Sequence, residues 1–183
     1  MWGVKQILLI FAAGVLMGCG GSTLDLTAQP ELEKAIREHL KEARGVMPTG
    51  ELTKEDFDKV TVLSLSGNQL TEVPKGLEKL TQLTRLYLTY NILTDVKGLE
   101  KLTQLTNLSL GGNKLTDVKG LEKLTQLTSL HLFDNQLTDV KGLEKLTKLT
   151  YLILNDNPDL TKAQIAELQK ALPKCEIKSN PTK

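Results

Sequence analysis

Aromatic residues are scarce. Phe, Trp and Tyr together make up 4% of the 183 residues, so any core has to be aliphatic. Cysteine is scarcer still, with only Cys19 and Cys175, too few for a disulfide framework. An excess of charge of one sign is also lacking. Lys and Arg number 23 against 22 Asp and Glu, which argues against a nucleic-acid binder and against an acidic solvating segment. Catalytic signatures are missing: no G-x-S-x-G, H-E-x-x-H or phosphate-cradling Gly-Lys motif occurs. His39 and His131 are the only histidines, and neither has a second His or Cys at ligand spacing, so no zinc site is expected. The oxygen-rich "NDNPD" at 155–159 lacks the glycine of the helix-loop-helix calcium motif, and Asp134 and Asp156 read as solvated carboxylates. No enzyme activity, cofactor or metal is expected.

A membrane-spanning run is absent as well. Ile7 to Met17 is apolar apart from Gly14, but too short to cross a bilayer in the usual way. Lys5 precedes it and small residues follow, the pattern of an export signal over residues 1–18. Its ending, Leu16-Met17-Gly18-Cys19, resembles the lipobox of bacterial lipoproteins. The resemblance implies that Cys19 becomes the acylated first residue, and that the chain is lipid-anchored in the cell envelope, at the outer membrane or the cell surface. An ordinary cleaved signal or an uncleaved anchor, with Cys19 incidental, is the alternative. Loss of residues 1–18 removes Lys5 from the 23 basic residues and leaves 22 against 22 acidic ones. With no net charge to bind it, the lipid would have to hold the chain at the membrane, and stable anchoring needs more than one acyl chain.

What the sequence has in abundance is repetition. Asn68, Asn91, Asn113, Asn135 and Asn157 stand 23, 22, 22 and 22 residues apart. They end five copies of one pattern: "VTVLSLSGN", "LTRLYLTYN", "LTNLSLGGN", "LTSLHLFDN" and "LTYLILNDN". Between them "LTDVKGLEKLTQLT" stands at 93–106 and 115–128, and again at 137–150 with Lys148 in place of Gln. The pattern L-x-x-L-x-L-x-x-N resembles the leucine-rich repeat, in the short-period internalin type found in bacteria. That resemblance implies an α/β solenoid: a short arc with a parallel β-sheet on its concave face, a helical N-terminal cap and a C-terminal cap helix.

The physical reading agrees. In "LTNLSLGGN", Leu108 and Leu110 alternate with Asn107, Ser109 and Gly111, the period of a strand with one apolar face. One repeat cannot bury that face alone, so neighbours must stack, at roughly 4.8 Å per strand. Val96, Leu99 and Leu102 point inward, whereas Asp95, Lys97, Glu100 and Lys101 are expected in water on the convex side. The Asn column forms a polar ladder that satisfies backbone groups of the bend.

Caps are needed at both ends. Leu32, Ile36, Leu40 and Ala43 form an apolar stripe between Pro30 and Gly45, and Thr53 with Asp56 can cap a short helix through Phe57. Thr161 and Gln164 can cap a helix presenting Ile165, Leu168 and Leu172, and "CEI" at 175–177 can add a strand with Cys175 buried. The organisation expected is residues 1–18 signal, 19–29 lipidated tether, 30–59 N-terminal cap, 60–160 five repeats, 161–178 C-terminal cap and 179–183 loose tail.

Between copies the outward strand positions change. Arg85, Tyr87, Tyr90, Asn107, Ser109, His131, Phe133, Asp134, Tyr151 and Ile153 occupy them, and they include every Tyr of the chain and the only Phe outside the signal and the N-terminal cap. Aromatics and Arg are frequent interface anchors. Ser109, Gly111 and Gly112 are small and lie between Tyr87 and Tyr90 on one side and His131 and Phe133 on the other, which predicts a trough near 10 Å across. The expected function is non-enzymatic recognition of an unidentified protein, extended peptide or glycan, with the membrane reached through the N-terminal lipid and nucleic acid excluded. The alternatives are a structural envelope protein whose convex charge columns do the binding, and an enzyme subunit or inhibitor.

Overall fold

The computed structural model describes residues 29–180. Cys19, the segment expected as a signal, nearly all of the expected tether and residues 181–183 lie outside the described residues. The strands are short and all parallel: β1 (Val62–Ser64), β2 (Arg85–Tyr87), β3 (Asn107–Ser109), β4 (Ser129–His131), β5 (Tyr151–Ile153) and β6 (Glu176–Lys178). They pair in chain order as one six-stranded sheet. Register holds by type, so Leu63, Leu86, Leu108, Leu130 and Leu152 form one buried row, with Leu65, Leu88, Leu110, Leu132 and Leu154 beside it. β6 extends the sheet one strand beyond the five repeats by pairing Leu152 with Ile177.

Each strand returns to the next through a single 3₁₀ turn, at Leu77–Lys79, Leu99–Lys101, Leu121–Lys123 and Leu143–Lys145. These turns show why the return cassette is so constant. Ahead of each stands a glycine with positive φ, such as Gly120 at 99°, a region L side chains rarely enter. The Glu inside the turn folds back to its N–H: Glu122 Oε2 accepts from Gly120 N at 2.6 Å, and Glu100 Oε2 from Gly98 N at 2.7 Å. The Asp of the cassette accepts from a backbone N–H two residues on, at 3.0 Å in Asp95–Lys97, Asp117–Lys119 and Asp139–Lys141. Thus Asp95 and Glu100, expected as solvated charges, are half-buried turn caps; Lys97 and Lys101 are the exposed ones. The expectation failed because a charge pattern does not reveal which backbone donors a turn leaves open.

The first repeat is one residue longer. Pro74 takes the place held elsewhere by valine, and its carbonyl accepts from Leu77 N at 3.2 Å as Val96 O does from Leu99 N at 3.1 Å. The turn geometry therefore survives the insertion.

Two side-chain ladders tie the coils together. In the first, Asn113 Nδ2 donates to Leu110 O at 2.9 Å in its own bend and to Leu88 O at 3.0 Å one coil back. Its Oδ1 accepts from Leu93 N at 3.0 Å. Asn91, Asn135 and Asn157 repeat the pattern, and all four are buried. Asn68 is only half-buried and reaches Ser66 O at 3.3 Å, since no earlier coil of the same kind precedes it. In the second ladder Thr84, Thr106, Thr128 and Thr150 each donate a hydroxyl to the carbonyl of the Thr one coil before.

The ends are closed by helices. α1 (Pro30–Arg44) lays Leu32, Ile36 and Leu40 against the first strand and stops at Gly45, φ 74°. α2 (Lys54–Phe57) and α3 (Lys162–Ala171) both begin with complete capping boxes, Thr53/Asp56 and Thr161/Gln164. Leu168, Leu172 and Cys175 are buried at the far end, and Ile165 packs partly against the core. The tail expected to be loose is tied as far as residue 180. Asn180 Oδ1 accepts from Asp156 N at 2.6 Å, and its Nδ2 donates to Asp156 Oδ1 at 2.9 Å.

Asn113→Ala orphans several backbone groups in a closed bend and lowers unfolding free energy by about 1–3 kcal/mol, read by urea titration. Backbone N–H donors hold the carboxyls of Glu100, Glu122 and Asp117 below their ordinary range. As pH falls, the unfolded chain therefore takes up protons first. The stabilisation is complete above the ordinary carboxylate range and is lost as pH drops through the lowered folded values. The melting temperature should fall between about pH 5 and pH 3, with a smaller fall in a Glu122→Gln variant.

Candidate functional site

The outward face of the sheet divides into two halves. In the C-terminal half the side chains engage one another. Ser109 is buried and its hydroxyl lies 3.1 Å from His131 Nδ1, while the Ser129 hydroxyl lies 3.3 Å from Nε2. One ring nitrogen with a proton and one without suits a neutral imidazole between two hydroxyls. Burial pushes the His131 pKa below its ordinary value. The Tyr151 ring meets His131 edge-on at 5.8 Å, and Lys178 Nζ sits 5.1 Å above the Tyr151 ring. Ile153 is half-buried beside them.

The expected trough over the third repeat is not open. Phe133 lies flat against Gly111, where a Cβ would collide with its ring, and Tyr90 covers Gly112 in the same way. The two rings then meet edge-to-face with centroids 6.1 Å apart. Small residues invited their large neighbours to lean in. Spacing on a strand fixes where a side chain starts but not where it folds over, so the closed trough was not legible. Tyr90 also stands in a left-handed backbone conformation, φ 56°, as do Asp134 and Asp156 at the same place in their repeats. Asp134 is exposed.

The N-terminal half is different. Arg85 is exposed, and its guanidinium makes no hydrogen bond or ion pair among the described residues, while its backbone N–H donates to Thr61 O at 3.1 Å. Tyr87 is 37% exposed between the small residues Ser64 and Ser109 at its register. Asn107 is half-buried and its Oδ1 accepts from the Thr106 hydroxyl at 2.9 Å. Above Gly67 the space is open. Tyr87, Tyr90 and Ile92, all from the second coil, are three of the five large apolar side chains exposed among the described residues. Ile92 was missed, although the signal was in the sequence: Gln69, Lys114, Gln136 and Pro158 occupy its place in the other repeats. Lys178 was missed because the last strand was expected to end before it.

Elsewhere, a groove of about 420 Å³ lies between the last coil and α3, lined by Asp139, Lys141, Glu144, Gln164 and Glu167 among others. No cluster of three or more metal-ligating side chains occurs among the described residues. No described helix is long and apolar enough to cross a membrane.

A family model described as Leucine Rich repeats (2 copies) matches residues 58–101, 82–123 and 125–170. The chain belongs to the leucine-rich repeat family. Among solved structures, an internalin from Listeria monocytogenes is 30% identical with a TM-score of 0.70, over 84% of this chain and 44% of its own. Internalin C2 of the same species is 28% identical with a TM-score of 0.67, over 81% of this chain and 66% of its own. A leucine-rich repeat protein of Leptospira interrogans is 36% identical with a TM-score of 0.61, over 69% and 33%. The chain thus spans less than two thirds of each of these bacterial relatives. No curated protein matches it. Leucine-rich repeat folds of this kind are typically non-enzymatic scaffolds for protein–protein interaction.

The two halves of the sheet differ in what a truncation costs. Phe133→Ala uncovers Gly111 and should lower stability by about 1–2 kcal/mol, part of the value of a fully buried ring. Tyr87→Ala should change it by less than about 1 kcal/mol. Thermal unfolding of both variants against the unmodified chain checks the contrast.

Proposed function

We propose that this chain is a non-enzymatic recognition module of the bacterial envelope, held there by lipid on Cys19, and that it binds a protein partner through the concave face of its sheet. One observation carries the binding claim: the exposed aliphatic and aromatic surface of the repeats is concentrated on the second coil, at Tyr87, Tyr90 and Ile92. In a chain with 4% aromatics, rings left in water are poor stabilisers and good anchors. Near-identical return cassettes beside variable strand positions support the same reading, because the fold is served by the first and makes no use of the Arg85 and Tyr87 side chains among the second.

A purely structural role through the convex columns has less support. Their aspartates are occupied with turn amides, and Lys97 and Lys119 sit 3.4 and 3.3 Å from Asp95 and Asp117. Little uncompensated charge is left there for a wall polymer.

Crosslinking from intact cells, with the unmodified chain and Tyr87→Ala compared at equal abundance, should recover a defined partner only with the unmodified chain. Equal recovery by both rejects concave recognition. Mass spectrometry of the mature N-terminus should find acylated Cys19; an unmodified or missing Cys19 removes the anchor.

A further inference from the structure

On the N-terminal half of the concave face, unused hydrogen-bond donors gather around β2. Among the outward positions from Val62 to Gly112, Arg85 is the only charged residue. It offers five N–H donors and uses none of them on the described residues. At the same register on β3 stands Asn107, whose Oδ1 is taken by Thr106 and whose amide N–H groups have no acceptor among the described residues. The acids of this face all lie further along, and two have partners: Asp156 holds Asn180, and Glu176 lies 3.6 Å from Lys178. Charge on the N-terminal half is therefore positive and uncompensated.

Geometry narrows the ligand further. Arg85 and Tyr87 are two apart on one strand, so their side chains leave the sheet about 7 Å from each other. An extended peptide presents its own residues two apart on one face with the same spacing. Resting on the reading that the concave sheet recognises protein, we infer that β2 anchors an extended segment carrying a carboxylate two residues from an apolar side chain. The carboxylate pairs with Arg85, in the two-point geometry that a guanidinium favours, with the Asn107 amide as a further donor. The apolar residue packs on the Tyr87 ring, which is 37% exposed. Charge complementarity disfavours a basic residue opposite Arg85.

Selection of a phage-displayed random peptide library on the purified full-length chain in mild detergent tests this, with a glycan array run in parallel. The expected result is enrichment of Asp or Glu two residues from an aromatic or large aliphatic residue. Arg85→Gln should weaken the resynthesised peptides about tenfold or more, through loss of the charge-assisted pair. Arg85→Glu should instead select Lys or Arg at that position, and Tyr87→Ala should lose both sets. Both residues are exposed, and unchanged melting temperatures will confirm that the variants fold. Peptides that depend on Tyr87 but show no acidic preference, or that ignore Arg85→Glu, overturn the inference and leave concave recognition standing. So does Tyr87-dependent glycan binding without any selected peptide. Binding that ignores Tyr87, or no binding in either format, overturns both.

Discussion

A coil that turns sharply at the end of every strand traps carbonyl and N–H groups inside its bend, and the structure depends on the amide that satisfies them. An asparagine side chain suits the task because it offers a forked donor and an acceptor on one short stem. Each buried Asn bonds its own bend and the bend before it, so it closes a turn and joins two coils at once. Leucine rows supply the apolar driving force, but a row alone does not fix one coil above the next. The amide ladder, with the threonine ladder at the other end of the strands, fixes it. Asn68 illustrates the boundary condition: without a similar coil behind it, the same residue stays half-buried, and α1 takes over the covering of the leucine rows.

Much of this was legible in advance, and the reasons are specific. A periodic apolar pattern with a buried amide at a constant interval admits one winding, so strand register, both caps and the inward valines and leucines followed from the letters. Capping boxes at Thr53 and Thr161 were legible because the chemistry is local. What escaped was non-local or conformational. Glu100 and Asp95 looked like solvent charges because nothing in their composition shows a left-handed glycine or a turn amide within reach. Asn180 looked like loose tail because its partner, Asp156, is 24 residues away. At the candidate site the outward residues were identifiable, but their poses were not. Phe133 and Tyr90 fold over two glycines and close the trough the spacing implied.

The outcome is a sheet whose face is asymmetric in use. Repeats four and five, with β6 and Ser109, spend hydroxyls, rings and a charge on each other, which makes a mostly satisfied surface around His131 and Tyr151. Repeat two keeps Arg85 available, and Tyr87 beside the small residues Ser64 and Ser109. Engaged side chains on one side leave the groups on the other as those a ligand could reach without displacing an internal contact.

The near-identity of the return cassettes has a consequence for how such a chain can change its size. Every coil between Leu93 and Thr150 hands the next one the same donors, the same acceptors and the same leucine wall. A further copy spliced in at any of these seams would find its partners already in place, and neither cap would register the difference. Each copy would carry the β2 edge about 4.8 Å further from the α3 end. Length along the inner wall is thus a quantity that inheritance can dial in whole steps, separately from what is written on it.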